Sequence, residues 1–156
     1  MQKITPCLWF DTQAEEATQF YVSVFRDARM GAVTRYGEGG PRPEGSVLTV
    51  AFELEGQPFA ALNGGPQFKF NEAISLVVDC ADQAEVDRLW ATLTEDGQPG
   101  PCGWLKDRYG LSWQIVPSIL LPLLGDPDAA KAHRVMSAMR QMGKLDIAAL
   151  LQAAAG

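Results

Sequence analysis

The residues able to do chemistry in this chain are few and widely spaced. Cys7, Cys80 and Cys102 are odd in number and lie on apolar runs, a pattern that fits reduced core thiols rather than a disulfide framework. A covalent role for any of them requires a basic neighbour to draw off the thiol proton, and the sequence sets none beside them. His133 is the single histidine, so a triad of two histidines and one carboxylate on a metal cannot be built. It stands beside Arg134 in a helical stretch and reads as a surface or packing residue. Arg108 is the best cation for an acidic ligand, since a guanidinium grips a carboxylate with two bonds; next to Asp107 it reads first as a solvated, paired turn residue. Tyr109 is either a weak acid nearby or a shaper of the turn. The glycine-rich stretches at 37–45 and 63–66 precede strands or loops rather than helices, and read as linkers, not as nucleotide-binding turns. No residue earns a catalytic role from sequence alone.

These side chains must be positioned by elements that the pattern makes legible. The stretch CGWLKDRYGLSWQIVP, residues 102–117, reads as strand, tight turn and strand: charges and Gly110 mark the reversal, and Pro117 closes a run of aromatic and β-branched residues. At the other end, residues 3–10 (KITPCLWF) form a strand with Ile4, Pro6, Leu8 and Phe10 on one face and Thr5, Cys7 and Trp9 on the other. Pro6 cannot donate to a ladder, so this strand is an edge, is bulged, or begins there. Thr12 and Glu15 form a capping box for a helix reaching about Phe25, with Ala17, Phe20, Tyr21, Val24 and Phe25 inward. Strands follow at about 30–36, 47–54 and 57–62, the last two joined by a Glu55-Gly56 turn.

After residues 63–66 the pattern begins again. Residues 73–80 form a strand, Asp82 and Glu85 repeat the cap, and Val86, Leu89, Trp90 and Leu93 point inward from a second helix. Thr12 and Asp82, Glu15 and Glu85, Phe20 and Trp90 are all separated by the same 70 residues. Self-similarity at fixed spacing indicates a duplicated unit. The expectation is an α+β fold: a first βαβββ module over 1–66, a second over 67–117, and a helical extension over 118–156, all one compact domain. In that extension Asp126-Pro127-Asp128 opens a helix whose Val135, Met136, Met139 and Met142 form a stripe, and Asp146 caps a last one.

Composition narrows the classes. A net charge of -6 disfavours phosphate backbones, so no nucleic acid is expected as a partner. No run is long and apolar enough for a bilayer, and the first residues lack a signal-peptide core. With reduced cysteines, this predicts a cytoplasmic protein without a membrane partner.

The capped first unit (ITPCLWFDTQAEEATQFYVSVF), the GWLKDRYGLSWQIVP hairpin and the tail DPDAAKAHRVMSAMRQMGKLDIAALL resemble the PhnB-like family, labelled 3-demethylubiquinone-9 3-methyltransferase. That family lies in the vicinal-oxygen-chelate superfamily of glyoxalases, extradiol dioxygenases and bleomycin-resistance proteins. The resemblance implies two βαβββ modules whose curled mixed sheets surround a cavity, and a homodimer. It also implies that metal ligands, where members use them, fall near Pro6, near Asn63, at about Ala73 and at Gln114. Proline and alanine cannot ligate through side chains, and two amides are poor donors for a transition metal; no cofactor is therefore expected. The glycine-rich strand-to-helix turn that serves S-adenosylmethionine in wound α/β folds is missing, because the first strand leads into Asp11-Thr12-Gln13.

Within such a cavity, strand parity places Pro6 and Leu8 on the lining with Ser75, Val77, Ser112 and Gln114, and turns Cys7, Trp9, Trp113 and Ile115 toward the helices. Asn63 stands at the rim, Trp104 closes one end, and Arg108 offers a cation. Apolar walls with a few amides and hydroxyls suit a small organic ligand held by hydrogen bonds. The alternatives are a superfamily enzyme, either metal-assisted (of lyase, isomerase or dioxygenase type) or using Gln114, Asn63 and a water, or else the methyltransferase of the label; and a structural or regulatory dimer.

Overall fold

In each half of the chain the opening strand lies parallel to the closing one, and this pairing sets the topology. The computed structural model describes residues 2–156. The first unit, Met1–Lys69, runs β1 (Cys7–Phe10), α1 (Ala14–Val24), β2 (Ala28–Arg35), β3 (Val47–Leu54) and β4 (Gln57–Asn63). Its sheet has the order β1-β4-β3-β2. The second, Phe70–Gly156, runs β5 (Ser75–Cys80), α2 (Gln83–Thr94), β6 (Gln98–Pro99), β7 (Trp104–Lys106) and β8 (Ser112–Pro117), in the order β5-β8-β7-β6. Three helices complete it: α3 (Leu120–Leu124), α4 (Ala129–Met139) and α5 (Ile147–Ala155). The α+β class expected from the repeat is what the structure shows, as two four-stranded mixed sheets.

In the first unit, Phe52 stacks on Tyr21 of α1 at 6.3 Å between ring centres and on Phe59 at 5.1 Å. Register then carries the helix-facing side across the sheet, from Phe52 and Phe59 to Ala61 and so to Leu8. Leu8 is 7% exposed, beneath α1. The expected parity of the first strand is therefore reversed: Leu8 and Phe10 form the helix-facing side, while Cys7 is exposed and Trp9 half-buried on the other. Both alternations of this strand carry apolar residues, so alternation alone does not say which one a helix covers.

The two helix starts differ in a way the repeated motif conceals. In α2 the box forms: Asp82 Oδ1 accepts from Glu85 N at 2.9 Å, and Glu85 Oε2 accepts from Ala81 N at 2.8 Å. In α1 the N-cap is Gln13, with no capping bond from its own side chain. Instead Asn63, at the end of β4, accepts from Ala14 N through Oδ1 at 2.8 Å and donates through Nδ2 to Val47 O at 3.1 Å. Its parallel partner Phe10 sits just before the helix, so the strand end brings the amide to the orphan donors. Thr12 remains exposed.

The Glu55-Gly56 turn has both residues at positive φ, 48° and 82°, the geometry that lets a two-residue link join twisted strands. Pro6 lies just before β1, an edge strand, and its carbonyl accepts from Ala60 N at 3.0 Å. In the tail, Asp128 and Asp146 cap α4 and α5 as expected. Val135, Leu145 and Leu150 are buried together with Met139 and Met142 against them, whereas Met136 points outward. The tail docks on its own unit: Cys102 N and Gly103 N donate to Met142 O and Gly143 O, each at 2.8 Å, and Gln83 bonds both Leu145 O and Ile147 N. At Gly103 (φ 84°) a β-carbon would press on Ile115 O and Leu145 Cδ1, each 3.0 Å away, and would be strained by the positive φ.

Asn63→Ala removes a helix cap and a buried hydrogen bond, and should cost about 2 kcal/mol in urea unfolding. Thr12→Ala should stay within about 0.5 kcal/mol of the parent.

Candidate functional site

The second sheet has one face against a helix and one face away from it. α2 packs on β5, β7 and β8, over the buried Leu105, Trp113 and Ile115. The alternate residues form the opposite, open face. Register arranges them in two rows: Ser75, Ser112 and Lys106 in one, Val77, Gln114 and Trp104 in the next. Gln114 Nε2 donates to Ser75 Oγ at 2.9 Å. Val77 is 61% exposed, Trp104 is half-buried, and Lys106 Nζ pairs with the Glu72 carboxylate. Val116, next along the strand on this face, packs against the tail cluster, which borders the face at that end.

A buried carboxylate holds the hairpin that carries these residues. Asp107 is 3% exposed. Its Oδ1 accepts from Tyr109 N at 2.8 Å and Leu111 N at 3.1 Å, and its Oδ2 from Trp113 Nε1 at 2.9 Å. Bonds to an ionised acceptor are stronger than neutral ones, and here they tie the turn backbone to the indole beneath β8. Gly97 lies against the backbone of Lys106 and Asp107, where a β-carbon would clash.

The structure thus brings together four of the expected residues, Ser75, Trp104, Ser112 and Gln114, on one sheet face. Arg108 sits in the turn, Nη2 4.0 Å from Glu95 Oε2 at the end of α2, and not in those rows. In the first unit, Pro6 is half-buried ahead of β1, Leu8 lies under α1, and Asn63, 6% exposed, is the cap of α1 rather than a rim residue. The rim position of Asn63 is what the cavity implied by the family resemblance predicts; what places the residue is the parallel β1–β4 register, a long-range pairing. Lys106 and Asp107 were not expected at the site. The signal for Lys106 was present, since it shares alternation with Trp104.

The metal positions that the family resemblance implies do not fit a cation. Pro6 and Ala73 offer no side-chain donor, Asn63 spends both amide atoms on backbone, and Gln114 is bonded to Ser75. Among the described residues no three of His, Cys, Asp and Glu cluster so as to hold a metal ion. His133 is exposed on α4.

Neither Cys7 nor Cys80 is activated. Burial, reinforced by the charges of Glu85 and Asp79, pushes the Cys80 thiol up to about 12; partial burial also raises Cys7. The folded protein keeps the Cys80 proton while the unfolded chain releases it near 9.0, so stability contributed by this group is lost as pH climbs from there toward about 12.

Comparison with known proteins follows the same lines. The family described as 3-demethylubiquinone-9 3-methyltransferase matches residues 2–116, so the helical tail lies beyond the match. The chain is similar to the PhnB protein of Bacillus cereus, described by the same methyltransferase name, at 38% identity over 74% of this chain and 99% of that one, with a TM-score of 0.67. Protein PA1353 of Pseudomonas aeruginosa shares the fold at 20% identity over 75% and 98%, TM-score 0.62. A glyoxylase/bleomycin resistance protein/dioxygenase domain of Frankia sp. EAN1pec aligns at 13% identity over 75% and 92%, TM-score 0.48. No curated protein matches.

Two outcomes are expected. Asp107→Ala strands the Trp113 indole and two turn amides in a buried setting, and should destabilise the chain by about 3 kcal/mol or more in urea unfolding. Iodoacetamide at pH 8 should label Cys7 in the folded protein and Cys80 only after denaturation, as read by mass spectrometry.

Proposed function

We propose that this chain, which belongs to the PhnB-like family described as 3-demethylubiquinone-9 3-methyltransferase, binds a small organic molecule on the open face of its second sheet. The observation that supports this is the pair of rows itself. A half-buried indole and an exposed valine flank an amide that is oriented by the Ser75 hydroxyl. Apolar surface with a few fixed polar groups is the usual composition of a small-molecule site: the apolar flanks supply area, and the amide supplies orientation. The metal positions lack suitable donors, so binding at this face relies on hydrogen bonds and stacking, with no cation assigned. The methyltransferase name is not adopted as an activity, because the turn after β1 contains no glycine and ends in a helix capped by Asn63.

The reading is tested with neutral aromatic fragments, phenols and small amides, titrated into the full chain while the indole N–H resonance of Trp104 is followed. Saturable shifts of that resonance are expected. Gln114→Ala should weaken fragment binding about tenfold, as expected for a hydrogen bond of about 1.4 kcal/mol, with the urea midpoint unchanged. A Trp104 resonance that no fragment moves would sink the proposal.

We infer in addition that the chain forms a homodimer, supported by the apolar side chains it leaves exposed, Ile4, Phe68 and Leu121 among them. Light scattering at micromolar concentration should give twice the chain mass; the mass of one chain removes the inference.

A further inference from the structure

We infer that Lys106, Ser112 and Gln114 form an anchor for the carboxylate of a small aromatic acid, and that Glu72 holds the Lys106 ammonium until such a ligand replaces it. This rests on the proposed ligand face and names the class of ligand it takes.

The first observation is Ser112. It is 0% exposed, and its Oγ is the one buried side-chain polar atom among the described residues without a hydrogen-bond partner. Burying a hydroxyl without a partner is costly, and an alanine would satisfy the packing without that cost. Its position on β8 aims it away from α2, into the row between Ser75 and Lys106.

The second observation is what lies beside it. β7 and β5 are hydrogen-bonded to opposite sides of β8. Lys106 ends β7, and Glu72 stands three residues before β5. The Lys106–Glu72 pair therefore links the β7 side of β8 to the chain that leads into β5, at the end of the sheet where Ser112 is the cross-strand partner of Lys106, and it acts as a strap beside the unsatisfied hydroxyl. Both partners are substantially solvent-accessible, and surface ion pairs are weak contacts, so the strap opens readily. The hydrogen bond from Lys106 holds the Glu72 carboxyl below the usual carboxylate range. Glu72 is thus an ionised stand-in for the group that a ligand would bring.

Opening the strap offers an ammonium and a hydroxyl donor, with the Gln114 amide one row further along. A ligand carboxylate placed there directs its body over Gln114, between Trp104 and Val77, each about 4.8 Å away across the sheet. That space is flanked by an indole and an exposed valine, which favours a flat apolar body. The chain carries a net charge of -6, so the local ammonium has to supply the attraction for an acid, and binding should weaken with added salt.

The test compares benzoate with its uncharged isostere benzamide on the full chain, by calorimetry and by the Trp104 indole resonance. Benzoate should bind about tenfold tighter than benzamide. Lys106→Met and Ser112→Ala should each erase that preference, so that on either variant benzoate binds no tighter than benzamide measured on the same variant. Ser112→Ala, which only removes an unpaired hydroxyl, should keep or raise the urea midpoint and so separates binding from folding. Glu72→Gln should tighten benzoate severalfold by removing the resident competitor. Equal affinities for benzoate and benzamide, or a face that answers to neutral fragments but not to benzoate, would overturn the anchor while leaving the ligand face standing. Weaker benzoate binding in Glu72→Gln would overturn the displacement by Glu72. A Trp104 resonance unmoved by both probes and by the neutral fragments would overturn both readings.

Discussion

The Asp107 carboxylate is the contact on which the second unit's surface chemistry depends. A charged group taken out of water has to be repaid by donors with good geometry, and two turn amides and the Trp113 indole do so. The consequence is a hairpin with one register. Leu105 and Trp113 go under the sheet beside α2, and Trp104, Lys106, Ser112 and Gln114 are left above it. A slip of one residue would exchange the two sets. Asp107 turns its own oxygens to the turn and the indole rather than to a ligand, yet it holds the hairpin that presents the side chains of the site.

The first unit solves a matching problem with different chemistry. Its opening strand also lies parallel to its closing one, and the chain also enters a helix straight after that strand. Where α2 is capped from within its own first turn, α1 borrows an amide from β4. Two units with the same topology therefore keep their helix starts satisfied by a local motif in one case and by a tertiary contact in the other. The difference bears on function, because an amide committed to a cap is withdrawn from any ligand. The polar residues of the second unit's open face carry no such commitment to a helix end.

The tail adds a third element. It lies beyond the stretch matched by the family, and docks through backbone bonds at Cys102 and Gly103 and through Gln83. Its cluster takes Val116 at one end of the open face. The methionines at 139 and 142 are packing residues there, which accounts for the helical spacing of the stripe without a binding role.

Sequence by itself determined the α+β class, the duplication, the order of elements and the family. Each of these follows from local periodicity, capping residues and turn chemistry, which are written within a few neighbouring positions and recur at a fixed offset. Alternation also puts Ser75, Ser112 and Gln114 on one side of the second sheet, because a strand's alternation is local, whereas Trp104, expected to close one end, stands across from Gln114. Which face of β1 a helix covers, which residue caps α1 and where Lys106 and Arg108 reach were decided by tertiary structure. Leu8 and Cys7 are both apolar enough for either side, and only the parallel pairing with β4 beneath α1 separates them. Asn63 has the same alternatives at a strand end, and the choice depends on a partner 49 residues away in sequence. Contacts of that range carry no local signature, since the same residue types satisfy either environment until the chain has closed on itself.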